Sequence, residues 1–197
     1  VFPSASHSRF EHVLGVYNYA NIYMDYLENN SENYKTKMKT KEIFTAKEKR
    51  CVSLAGLFHD LGHGPFSHIF DSVVLPNCCP NIDGATHEKR SQWIVEEIFK
   101  EVQPKGFTGY DIDLIKKIIE PCESMINVDG NGIKTYHGVE KPYLFEIINN
   151  ELNSIDVDKF DYLQRDAKHI GLDYTFNPNR IFNKSFVSPD TNSIVYD

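Results

Sequence analysis

The sequence predicts an all-α fold, a helical bundle with the start of a small β-hairpin at its C-terminal end. Three observations lead to this expectation. Apolar residues recur mostly at spacings of three and four, the period of an amphipathic helix. Helix-start signals precede the runs: Ser8 with Glu11, and Thr45 with Glu48, both have capping-box form. Strand-like alternation is confined to the tail, around Pro189-Asp190-Thr191-Asn192.

A first helix opens after Ser8 and runs for about 20 residues. Its apolar stripe is Phe10, Val13, Leu14, Tyr17, Met24 and Leu27. The Lys- and Asn-rich stretch 29–41 reads as a surface loop. Thr45 opens a second helix with the stripe Cys51, Leu54, Ala55 and Phe58, which Gly62 and Gly64 stop. Pro65 suits the first turn of a short helix through Asp71, and 75–85 reads as a loop. Further helices are expected over 87–102, with Trp93, Ile94, Ile98 and Val102 apolar, and over 111–120, before Pro121. The segment 121–141 reads as long and irregular. Helices follow over 143–152 and 157–169, the latter ended by Gly171, and Pro178 opens one more short helix. Residues 185–187 and 193–196 alternate as a hairpin. The expected organisation is one domain over 1–183 and the start of a truncated β segment over 184–197. The opening Val1-Phe2-Pro3 lacks an initiator Met, as expected of a fragment.

With 197 residues, the chain can bury a sizeable core. Its 41% hydrophobic and 25% charged residues are ordinary for a globular protein. No apolar run approaches the ~20 residues of a membrane span, and no signal-peptide pattern is present. The formal net charge of −7 argues against broad nucleic-acid binding. It leaves room for a small anionic substrate, because a metal and a few cations can invert the field in a cleft. Cys51, Cys78, Cys79 and Cys122 form no CxxC and no disulfide framework, which points to a reducing, intracellular setting.

The chemistry concentrates in His59-Asp60-Leu61-Gly62-His63-Gly64-Pro65-Phe66-Ser67-His68. A hydrolytic metal site needs imidazoles and carboxylates together, with positions left open for water and substrate. His59 and Asp60 are neighbours, about 100° apart on a helix, and can share an ion only near the helix end. His12 lies in the first helical turn, three residues after Arg9 and on the same face. Asp158, Tyr162, Asp166 and His169 form a polar stripe, one wall of a pocket. Ser67-His68-Asp71 superficially suggests a serine hydrolase, but no G-x-S-x-G elbow is present. Gly62-His63-Gly64 is no P-loop. The sequons at Asn29 and Asn183 occur without other signs of secretion, and His137 sits in a Gly-rich loop with no chemistry around it.

Four strings match a family in order: Ser-His-Ser-Arg-Phe-Glu-His (6–12), the ten residues 59–68, Thr-His-Glu (86–88) and Asp-Val-Asp-Lys-Phe-Asp-Tyr (156–162). They resemble the HD-domain deoxynucleoside triphosphate triphosphohydrolases, in particular the animal members that join a sterile alpha motif to an HD domain. The resemblance runs from residue 1 to about 183. It implies an all-α HD-domain helical bundle that cleaves deoxynucleoside triphosphates to deoxynucleoside and tripolyphosphate. It implies His12, His59, Asp60 and Asp158 as metal ligands, and Arg9 and Lys159 as phosphate-binding cations. His63, His68 and His87 match active-site histidines, with Asp71 orienting His68 so that His68 protonates the leaving 5′-oxygen. Tyr162 and Asp166 match residues near the sugar, and Arg180 matches a contact to an activating nucleotide. A homo-oligomer is implied as well. The chain departs from the relatives in its longer 28–45 loop and in Lys168, where they carry a second His.

Two imidazoles and two carboxylates suit iron, manganese, cobalt or zinc better than a dedicated magnesium cage. Two other functions fit the same residues. One is another HD-type nucleotide phosphatase or phosphodiesterase. The other is a non-enzymatic domain that binds nucleotide or single-stranded nucleic acid, against which the acidic balance weighs.

Overall fold

The computed structural model describes residues 3–173 and 176–197; Val1, Phe2, Tyr174 and Thr175 lie outside them. Helix α1 spans Arg9–Asn30 and starts on the expected box: Ser8 Oγ accepts from the Glu11 N–H, while the Glu11 carboxylate accepts from the Ser8 N–H at 2.7 Å. Its buried face is Val13, Val16, Ala20, Tyr23, Met24 and Leu27. The expected stripe was rotated: Phe10, Leu14 and Tyr17 lie along one flank of that face and are exposed. Apolar residues cover more than half of the helix circumference here, so spacing alone does not choose the face. Helix α2, Glu32–Met38, replaces the expected surface loop. Its Tyr34 is buried edge-on against Tyr143, and its hydroxyl donates to Asn192 Oδ1 at 2.8 Å. Tertiary docking of one aromatic therefore overrides a polar composition.

Helix α3, Ala46–Phe58, starts on the Thr45–Glu48 box and buries Cys51, Val52 and Ala55 against α1. Pro65 does not open a helix. Phe66 and Ser67 take left-handed backbone angles (φ 65° and 59°), and helical structure starts only at His68. A π-helical turn over Phe70–Val74 runs into α4, Leu75–Cys78, where a loop was expected. Helix α5, His87–Val102, has the predicted bounds, but it buries Ser91, Gln92, Val95 and Phe99 and leaves Trp93, Ile94 and Val102 exposed. Helix α6, Gly109–Ile119, packs on α3 and α5.

The irregular segment contains an antiparallel hairpin, β1 Ile126–Val128 with β2 Lys134–Tyr136. The helix expected over 143–152 does not form. A 3₁₀ turn, Pro142–Leu144, is followed by non-helical turns. Asn150 Oδ1 accepts from the Leu152 N–H at 3.0 Å and Asp156 takes the Asn150 N–H, so side chains satisfy the backbone that a helix would have used. Tyr143, Leu144, Phe145, Ile147 and Ile148 are nevertheless all buried, and their apolar spacing mimicked a helix.

Helix α7, Val157–Ile170, is capped by Asp156 and ends on Gly171 (φ 73°), as predicted. Helix α8, Pro178–Phe182, follows, and β3 Ser185–Val187 pairs antiparallel with β4 Ile194–Tyr196. This hairpin is tied to the helices: the Val187 N–H donates to Ser31 Oγ, and the Ile194 N–H to the buried Glu146 carboxylate, both at 2.8 Å. The four cysteines are free thiols. Among the described residues, no helix is long and apolar enough to cross a membrane.

Candidate active site

Three element ends meet at one point. The first turn of α1 brings Arg9 and His12, the end of α3 brings His59 and Asp60, and the first turn of α7 brings Asp158. His12 Nε2 lies 2.9 Å from Asp158 Oδ1. His59 Nε2 lies 3.3 Å from both Asp158 Oδ1 and Asp60 Oδ1, and His12 Nε2 is 3.8 Å from Asp60 Oδ2. The opposite ring nitrogens are already engaged: His12 Nδ1 with Asp161 Oδ2 and His59 Nδ1 with the Gly56 carbonyl, each at 2.8 Å. Both Nε2 atoms therefore face the carboxylates.

This arrangement can hold a divalent metal. Bonds of about 2.0–2.2 Å from one ion place neighbouring donor atoms about 3.0–3.4 Å apart, close to the observed separations. His59 Nε2 is buried and, among the described residues, makes no well-directed hydrogen bond even though two carboxylate oxygens lie 3.3 Å away, which is costly unless another group binds it. The electrostatics agree. Burial would raise the carboxyls, but the surrounding imidazoles, with Arg9 beside Asp60, hold Asp60 and Asp158 well below the usual carboxylate range. Burial opposes charge on His12, yet hydrogen bonds to Asp158 and Asp161 outweigh it and lift the ring to about 9. Burial opposes charge on His59 too, but the Asp158 and Asp60 carboxylates beside it raise the ring. The carboxylates are thus held ionised among the imidazoles, the donor set a divalent ion takes.

His63, His68 and His87 form a second group whose ligand atoms all lie within 4.8 Å of one another. His63 stacks on His87 at 3.7 Å between ring centres, and His68 meets both edge-on. His63 Nε2 lies 3.3 Å from Asp60 Oδ1, which links the two groups. The structure corrects the expectation for Asp71. Its carboxylate accepts from the His87 N–H and from His87 Nδ1, both at 2.9 Å, and from Arg90. It thus orients His87 rather than His68. The first turn of α5 offers Asp71 three donors, the His87 N–H, the His87 ring and Arg90. Burial pushes the His87 ring down, against the upward pull of Glu88 and Asp71.

Around both groups lies a cleft of about 490 Å³, lined by the four candidate ligands, the three histidines, Arg9, Tyr162 and Asp166. Arg9 bridges Asp60 and Ser67. Three predicted residues do not line the cleft: Asp71, which stands behind His87, Lys159 and Arg180. Lys159 is turned away, its Nζ donating to the Ser154 carbonyl at 2.9 Å, and Arg180 is exposed on α8. The cleft also contains residues that sequence reasoning missed: His7, Glu88, Asn149 and Arg165. His7 Nε2 pairs with Asp166 Oδ1 at 2.6 Å and its ring stacks on His169. Behind the cleft stands Asp161, also missed. Its signal was its position one helical turn after Asp158 inside the string 156–162.

Comparison with known proteins gives the same assignment from outside the geometry. Residues 9–166 match the HD domain family. The chain is 39% identical over 203 residues to the HD domain-containing protein L394 of Acanthamoeba polyphaga mimivirus, covering 100% of this chain and 40% of that one. It is 37% identical over 188 residues to the deoxynucleoside triphosphate triphosphohydrolase SAMHD1 of Bos taurus (91% of this chain, 30% of that one). The Dictyostelium discoideum homologue of that enzyme is 37% identical over 198 residues (96% and 32%). The chain thus spans 40% or less of the length of these relatives. Fold, clustered His and Asp residues and sequence match agree: the chain belongs to the HD-domain family.

Proposed function

We propose that this chain carries the centre of a metal-dependent phosphohydrolase that cleaves deoxynucleoside triphosphates to deoxynucleoside and tripolyphosphate. The observation that supports this best is the convergence of His12, His59, Asp60 and Asp158 with the unsatisfied His59 Nε2 at its middle. These four side chains hold the ion, of the Fe, Mn, Co, Zn or Mg type. When bound, a divalent ion lowers the pKa of a bound water and polarises a phosphoryl oxygen. Arg9, at the cleft wall, neutralises phosphate charge with its second face while Ser67 holds it. Lys159 joins the phosphate from the adjacent position on α7 once it releases the Ser154 carbonyl.

The His63, His68 and His87 group lies across the cleft and handles protons. His68, at its solvent-exposed edge, protonates the leaving 5′-oxygen, while Asp71 fixes the ring of His87 beside it. Tyr162 and Asp166 form the wall that meets the sugar, with His7 holding Asp166. An activating nucleotide at Arg180 and a homo-oligomer belong to the same reading, and the similarity to deoxynucleoside triphosphate triphosphohydrolases supports the nucleotide substrate. Free thiols suit a reducing intracellular setting.

The test is product analysis with the full-length protein and a panel of nucleotides. Tripolyphosphate released from deoxynucleoside triphosphates is the expected result. Orthophosphate released from a monophosphate identifies another HD-type phosphatase. Salt-sensitive nucleic-acid binding without turnover identifies a binding domain.

A further inference from the structure

The region behind His12 is built as carefully as the cleft in front of it. His12 Nδ1 meets Asp161 Oδ2 at 2.8 Å. Arg165, one turn further along α7, grips the same carboxylate from behind, Nε to Oδ2 and Nη2 to Oδ1, each at 2.8 Å. Asp161 is buried and these donors occupy both of its oxygens. The space for this chain of contacts comes from Gly15, one turn after His12 on α1. A Cβ on Gly15 would lie 1.8 Å from Asp161 Oδ1 and 2.5 Å from Arg165 Nη2. Gly15 sits inside a helix with ordinary backbone angles, where Ala has the better propensity. What the glycine provides here is the absence of a side chain.

We propose that Asp161, given room by Gly15 and held by Arg165, is a positioning residue that fixes His12 as a metal ligand. The carboxylate accepts a hydrogen bond from the Nδ1–H, which fixes the tautomer whose Nε2 ligates and makes the imidazole a stronger donor. His59 has only a backbone carbonyl in the equivalent place. The two imidazoles are therefore unequal ligands, and His12 is the more basic donor.

This inference rests on the metal-centre reading above, and its test separates the two. The Gly15→Ala and Asp161→Asn variants are made in the full-length protein. Mn2+ and Zn2+ affinities are read by competition with a fluorescent chelator, and the metal-stripped proteins are melted in parallel. Both substitutions are expected to weaken binding of each ion by about 10–100-fold. Both substitutions are expected to lower the melt of the stripped protein as well, because Asp161→Asn weakens a buried ion pair and a Cβ on Gly15 must push the buried Asp161 carboxylate off its donors. The loss of affinity distinguishes positioning from a purely structural ion pair, which would lower the melt and leave affinity alone. Wild-type binding that both variants match within about threefold overturns the inference while the metal centre stands. A wild-type protein that binds neither ion overturns the metal centre, and the inference with it.

Discussion

Substituting Asp71 by Ala removes a carboxylate that serves three donors from one helix: the His87 N–H, the His87 ring and Arg90. Its side chain is 14% exposed and that of Arg90 18%, so water replaces little of what is lost. Removing one partner from a charged hydrogen bond costs about 1.5–3 kcal/mol. The three losses do not add. Arg90 keeps the Gly62, Gly84 and Ala85 carbonyls and the Phe70 ring, and the His87 N–H at the start of α5 reaches solvent. We expect about 3 kcal/mol for Asp71→Ala and roughly half of that for Asp71→Asn, which retains one acceptor. Urea unfolding at neutral pH measures both. The sign of the pH dependence follows from the depressed carboxyl. Burial would raise it, but Arg90 and His87 outweigh burial and hold it below the usual carboxylate range. Its contribution is therefore complete above an unfolded value of about 4 and fades as pH falls below that. The gap between wild type and Asp71→Ala should close on acidification. With His87 unanchored, turnover should fall about 100-fold while bound metal stays constant. A destabilisation below about 1 kcal/mol, or a gap that widens in acid, would refute the clamp.

Three further outcomes are expected. His68→Ala should retain metal, by elemental analysis, and lose turnover by about 100-fold or more; full activity would remove His68 as the proton donor. His59→Ala should lose bound metal and melt lower than the metal-loaded wild type, with no response to added Mn2+. Glu146 is buried beneath the C-terminal hairpin, and burial lifts its carboxyl to about 7 despite the Ile194 N–H. The folded state therefore holds this proton more tightly than the unfolded chain. Stability should decline as pH rises from about 4.5 through 7, by at most about 3 kcal/mol. Glu146→Gln should flatten that slope in melts recorded from pH 5 to 8.

The parts of this protein legible in its sequence are those set by local chemistry. The boxes Ser8–Glu11 and Thr45–Glu48, Gly171 and the bounds of α5 and α7 all depend on residues within a turn of one another. The gathering of His12, His59, Asp60 and Asp158 was legible for a different reason. Unusual residue types stood in an ordered set of strings, and no spacing rule was needed. Illegible were the features decided by what packs on what. Whether Phe10 or Val16 faces inward depends on α3 and α7 being present. Whether 143–152 is a helix depends on Asn150 finding local backbone donors.

Asp71 shows the same limit within the site. Sequence spacing of three pairs it with His68, but the packing of α5 beside it hands it to His87 and Arg90. Asp161 was missed for the converse reason. Its spacing from Asp158 is visible, but its contact with His12, and the room Gly15 leaves for it, join residues distant in sequence. A site of this kind therefore reads from sequence as a set of ligands. The orientation of each ligand depends on a second set of residues, which becomes readable only when helices from distant parts of the chain are placed side by side.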